Sequence, residues 1–94
     1  MTSEQVRATG EVLIRCIMFR AEIIAIRSML NVYYTLGQAV PANWEKDLAA
    51  MKELPDYRQF LESFEPEMSQ VSQDASETHL IALLQKIEGS SLQP

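Results

Sequence analysis

The feature that most restricts the fold is a long stretch near the start of the chain that contains no proline. It extends from Ser3 to Leu36 and is followed by Gly37 and Pro41. A glycine just after a helix and a proline slightly further on are common helix stop signals. The stretch therefore predicts one helix over about residues 3–37, roughly 50 Å long at 1.5 Å per residue.

Proline and capping residues divide the rest of the chain into shorter helices. Asn43 is a favourable N-cap residue and predicts the start of a second helix. Pro55 ends or kinks this helix, residues 56–65 continue with aromatic and aliphatic side chains at helical spacing, and Pro66 closes the segment. Together with a last helix near the end of the chain, this gives three predicted shorter helices.

The last helix follows a predicted linker over residues 65–74. Asp74 and Glu77 have the spacing of a capping box, and Gly89 provides a stop signal. No Asn-Gly or similar hairpin signal predicts a sheet. We therefore expect an all-α helical bundle in one domain, residues 1–89, with a disordered tail at 90–94.

The long helix has two apolar faces when its residues are projected at about 100° per residue. The first has the alternating spacing of fours and threes that is typical of knobs-into-holes packing. It consists of Ala8, Val12, Cys16, Phe19, Ile23, Ile26, Leu30 and Tyr34. The second face is rich in small residues and consists of Val6, Gly10, Leu13, Ile14, Ile17, Ala21, Ile24, Ser28 and Val32.

A surface helix of a monomer needs only one apolar stripe, so two faces need cover on two sides. We expect a homodimer, because a bare apolar strip of this length exceeds what soluble monomers usually expose. The predicted dimer or partner seam consists of Val12, Cys16, Phe19, Ile23, Ile26 and Leu30. A monomeric bundle with the long helix at its centre is the alternative, and the sequence leaves open which face would pair and in which direction.

Arg20 and Arg27 lie on a polar stripe between the two faces. Their guanidinium groups could form ion pairs with the glutamates of the later helices or reach solvent. Those glutamates are Glu62, Glu65 and Glu67. As possible site residues, the two arginines would instead contact an anion or an acidic partner beside the seam.

A possible pocket lies where the first predicted helix connects to the second. It consists of the aromatic residues Tyr33, Tyr34 and Trp44. Aromatic side chains more often fill cores, so simple packing is the alternative. Cys16 is expected to be a small core residue, and His79 a solvated or locally hydrogen-bonded side chain. No catalytic residue, metal site or cofactor is predicted, since one cysteine and one histidine exclude Cys/His zinc sites and disulfides within the chain.

Charge restricts the class of partner. The formal net charge is −5, which disfavours nucleic acid and anionic membrane surfaces. The apolar stretches are interrupted by charges too often to span a membrane, and we expect a cytoplasmic protein. The chain is thus predicted to be a non-enzymatic homodimeric interaction protein of the adaptor or chaperone type, which could also bind a helix of another protein. The alternative is a helical bundle that binds a small ligand in an aromatic pocket.

Overall fold

The computed structural model describes residues 1–90, which form four helices and no strand. The helices are α1 (Ser3–Leu36), α2 (Trp44–Met51), α3 (Pro55–Gln73) and α4 (Glu77–Ser90). This confirms the predicted all-α bundle with one long N-terminal helix and three shorter ones. Of the predicted tail, Ser90 belongs to α4, and residues 91–94 lie outside the described residues.

Both ends of α1 have specific caps. The Thr2 hydroxyl accepts a hydrogen bond from the Gln5 N–H at 3.1 Å, and the Gln5 side chain accepts one from the Thr2 N–H at 2.9 Å. At the other end Gly37 adopts the left-handed conformation with φ 67°, and its N–H bonds to carbonyls of the last turn. Glycine adopts this conformation without the steric cost that a Cβ adds.

The predictions that Pro66 closes a helix and that residues 65–74 form a linker are wrong. Helix α3 passes through Pro66 and ends at Gln73. Proline in a helix removes one backbone hydrogen bond and costs about 3 kcal/mol. Pro66 is exposed, whereas Phe64 and Val71 on either side of it are buried. Burial of these side chains offsets the local cost and keeps the helix continuous.

The predicted capping box at Asp74 is also wrong. Asp74 is the C-cap of α3, and its N–H bonds to the Gln70 carbonyl at 2.9 Å. The N–H of His79 instead donates to the hydroxyl of Ser76 at 3.3 Å, so the serine caps α4. Because α3 continues to Gln73, Asp74 ends α3, and Ser76 caps the start of α4.

Helices α2 and α3 return along α1 in the opposite direction. Asp47 of α2 accepts a hydrogen bond from Tyr33 near the C-terminal end of α1. Phe64 of α3 packs with Ile17 near the middle of α1. Helix α4 then runs in the direction of α1, with Glu77 beside the amino group of Met1 at 3.1 Å.

The molecule is elongated, with extents of 52 × 24 × 17 Å. Its radius of gyration is 16.0 Å, whereas a compact domain of this length would have about 12 Å. Since packed helix axes lie about 8–10 Å apart, the thinnest dimension accommodates two layers of helices. The shorter helices therefore cover α1 from one side. No helix within residues 1–90 has both the length and the apolar character needed to cross a membrane.

Two separate clusters of side chains form the core. The first joins α1, α3 and α4 and consists of Ile17, Phe64, Val71, Leu83 and Ile87. The second joins α1 to α2 and consists of Ala25, Met29, Tyr33 and Leu48. The bundle thus has two helices, α3 and α4, packed against the first half of α1 and a thinner cover over its second half.

Candidate functional site

The first apolar face of α1 remains largely open to solvent. Phe19 and Val12 are 69% and 64% exposed, and Ile23 and Leu30 are about half exposed. Cys16 and Ile26 of the predicted seam are half-buried. We call this surface the bare face and define it as Val12, Cys16, Phe19, Ile23, Ile26, Leu30 and Tyr34.

The small-residue face is covered within the chain. Ile17 and Ala21 of this face are fully buried, and Ala25, which the sequence placed on neither face, is 1% exposed. Their neighbours come from the three shorter helices, and the alanines let those helices approach the α1 backbone closely. The small-residue face therefore serves the fold. On the bare face Ile26 packs against the second core cluster, whereas Val12, Phe19 and Tyr34 are mostly exposed within residues 1–90.

The buried stripe winds around α1 because many of its members are four residues apart. Each such step advances by about 40° around the helix. The stripe consists of Val6, Gly10, Ile17, Ala21, Ala25, Met29 and Tyr33. Val32, predicted on the small-residue face, is consequently exposed. The winding directs the first half of α1 toward α3 and α4 and the second half toward α2.

Arginines flank the bare face. Arg15 and Arg27 are exposed and Arg20 is half-buried, and within residues 1–90 none of them forms an ion pair. The ion pairs that Arg20 and Arg27 could form with glutamates of α3 are therefore absent from residues 1–90. The reason lies in α3, where two of the three glutamates have other contacts. Glu67 pairs with Lys86 at 3.3 Å and Glu65 accepts the hydroxyl of Ser69 at 3.2 Å.

A groove between α1 and α4 continues the apolar surface. Its volume is about 380 Å³, and it is lined by Met1, Thr9, Leu13, Glu77, Leu80, Ile81 and Leu84. Ile81 and Leu84 are 52% and 40% exposed. Sequence reasoning missed this groove because Leu84 has the same helical spacing as the buried stripe Leu80, Leu83 and Ile87, and Ile81 lies beside that stripe. An isoleucine next to that stripe was the available signal.

The three predicted pocket aromatics do not share one cavity. Tyr33 is buried and donates its hydroxyl hydrogen bond to the Asp47 carboxylate. This hydrogen bond, together with burial and the negative charge of Asp47, raises the pKa of Tyr33 to about 12. Tyr34 is 88% exposed, and neither it nor Trp44 lines the cavity of about 260 Å³ beside Tyr33.

The other chemically active side chains have local surroundings. Cys16 is a half-buried free thiol on the bare face. The Nδ1 atom of His79 lies 2.8 Å from the carbonyl oxygen of Asp74, a contact made close to its own helix start. Over residues 1–90 the structure contains no group of three or more His, Cys, Asp or Glu side chains that could hold a metal ion.

Comparison with known proteins gives no match: no protein-family model, no curated protein and no solved structure is similar to this chain. The bare face and the adjoining groove are therefore the features from which a function can be argued.

Proposed function

We propose that this protein is a non-enzymatic interaction module that forms a homodimer through the bare face of α1. The observation that carries the proposal is a row of large apolar side chains, exposed along about 33 Å from Val12 to Tyr34. The same helix already has a second, covered apolar face. A helix that needs one apolar stripe for folding has no need of the other.

The size of the bare face supports a binding role. Taking about 200 Å² for a whole aromatic side chain and about 110 Å² for an aliphatic one, its exposed side chains present roughly 500 Å² of apolar surface. Contrary to the expectation from the sequence, this area does not exceed what monomers expose. It equals the largest patch on a typical monomer, which covers about 300–600 Å² and is often functional. Burial of 500 Å² would contribute roughly 12 kcal/mol before the entropy of association is subtracted.

The adaptor or chaperone role is part of the same proposal and rests on the arginines beside the bare face. Arg20 and Arg27 flank the bare face without ion pairs in the described chain, so they would attract an acidic segment, such as an amphipathic helix with acidic edges. A cytoplasmic location is part of the proposal, and the free thiol of Cys16 favours a reducing compartment.

Light scattering coupled to size-exclusion chromatography tests the dimer. The unmodified protein should have twice the mass of the 10.7 kDa chain. Phe19→Glu should raise the dissociation constant at least about 100-fold, as expected for loss of an interface anchor, while circular dichroism stays helical. Leu36→Glu is the matched control, since Leu36 is similarly exposed on α1 but lies outside the bare face.

A monomeric mass for the unmodified protein across the accessible concentration range would overturn the proposal. Native mass spectrometry of gently purified protein adds a check on the alternative. A monomer that retains a few hundred daltons of extra mass would favour the small-ligand function, although Tyr33, Tyr34 and Trp44 do not converge on one cavity.

A further inference from the structure

We infer that the dimer interface extends beyond α1 to α4, so that the second copy closes the groove between α1 and α4. This inference rests on the proposed function. It adds the residues Ile81 and Leu84 to the interface.

The exposed side chains of α4 are the first argument. Leu80, Leu83 and Ile87 already pack inward and are buried. Ile81 and Leu84 form an additional apolar edge next to them, and this edge borders the groove. Helix α4 thus repeats the situation of α1: one apolar side is used in the fold, and another remains uncovered.

Continuity between the two helices is the second argument. Thr9 and Leu13 form the α1 wall of the groove, and they lie within one helical turn of Val12 and Cys16 on the bare face. The helices run side by side in the same direction, and a Cβ placed on Gly10 would lie 3.9 Å from Leu80 Cδ1. The bare face and the edge of α4 therefore form one surface across two helices.

Area identifies a second copy as a suitable occupant. Stable interfaces cover about 800 Å² on each partner, whereas the bare face presents roughly 500 Å² of apolar side chain. Ile81, Leu84 and the groove walls add roughly 200 Å², and the flanking arginines provide a polar rim. A second copy offers a matching two-helix surface, as a two-fold interface requires.

Dissociation constants from analytical ultracentrifugation test the role of α4. Leu84→Glu should raise the constant at least about tenfold, and Leu54→Glu is the control, because Leu54 is similarly exposed between α2 and α3. Ile81→Glu is a second variant of the same edge, in case Leu84→Glu reduces helicity. If both folded variants dimerise like the control while Phe19→Glu dissociates, the α4 inference is wrong and the proposed α1 dimer stands. A monomeric unmodified protein would instead remove the proposed function on which the inference depends.

Discussion

The two halves of α1 are covered in different ways. The first half lies against α3 and α4, and the core there contains Ile17, Phe64 and Leu83, all at most 1% exposed. The second half lies against the eight-residue helix α2 and the start of α3, and its cluster contains no large side chain buried to that degree. Three helices enclose side chains completely, whereas the second half has a shallower cover.

Polar contacts compensate in part for the shallower apolar core between α2 and the second half of α1. Tyr33 and Asp47 join α1 to α2 by a hydrogen bond, and Lys52 lies 3.6 Å from Glu22. Hydrogen bonds to charged groups contribute about 1.5–3 kcal/mol and exposed ion pairs about 0–1 kcal/mol. The comparison indicates that the first half determines global stability, while the second half depends on a few specific contacts.

Two leucine truncations measure this difference directly. We expect Leu83→Ala to lower the free energy of unfolding by about 3–5 kcal/mol and Leu48→Ala by about 2 kcal/mol, because the enclosed site cannot collapse around the cavity. Urea unfolding of both variants at one protein concentration is the measurement, since dimerisation would link stability to concentration. Equal losses would contradict the contrast between the two halves.

A glycine tests the close packing of the first half. A Cβ on Gly10 would lie 2.5 Å from Cγ1 of Val71, a stiff side chain that is itself buried. Gly10→Ala should therefore destabilise by about 1–2 kcal/mol, because overpacking exceeds the gain in helix propensity. The control is Gly89→Ala, where nothing lies within 4 Å, and the expected change is neutral or stabilising by up to about 1 kcal/mol. Thermal unfolding of the two variants compares them, and stabilisation by Gly10→Ala would contradict the close contact.

The smallest effect concerns the hydrogen bond at the thinner end. The folded-state pKa of Tyr33 is about 12, whereas the ordinary value for tyrosine is 10.0. Since the folded state holds the phenolic proton more tightly, this contribution to stability is complete below pH 10 and is lost as the pH rises toward 12. Ultraviolet titration should reveal a phenol with a pKa near 12. That step should disappear in Tyr33→Phe and move to lower pH in Asp47→Asn; an unchanged titration in Asp47→Asn would contradict the assigned cause.

Local signals in the sequence predicted much of the fold. The proline-free stretch and Gly37 predicted α1 almost to the residue, and Asn43 marks the start of α2. The signals at Pro66 and Asp74 misled, because tertiary burial on both sides of the proline outweighs the lost backbone bond. The spacing of the bare face could also be recognised in the sequence. The exposure of Ile81 beside the groove instead depends on how α4 lies beside α1.

The sequence by itself determined that this chain forms helices and that its longest helix carries two apolar faces, since both properties follow from residue types at fixed spacing along the chain. Only the tertiary structure decided which face is covered. The shorter helices pack where the alanines and Gly10 permit close approach, and their length suffices for one side of α1. Two properties decide which of two similar apolar surfaces becomes core: how closely the helix backbones can approach and how the chain connects the helices. The periodicity of a single helix specifies neither.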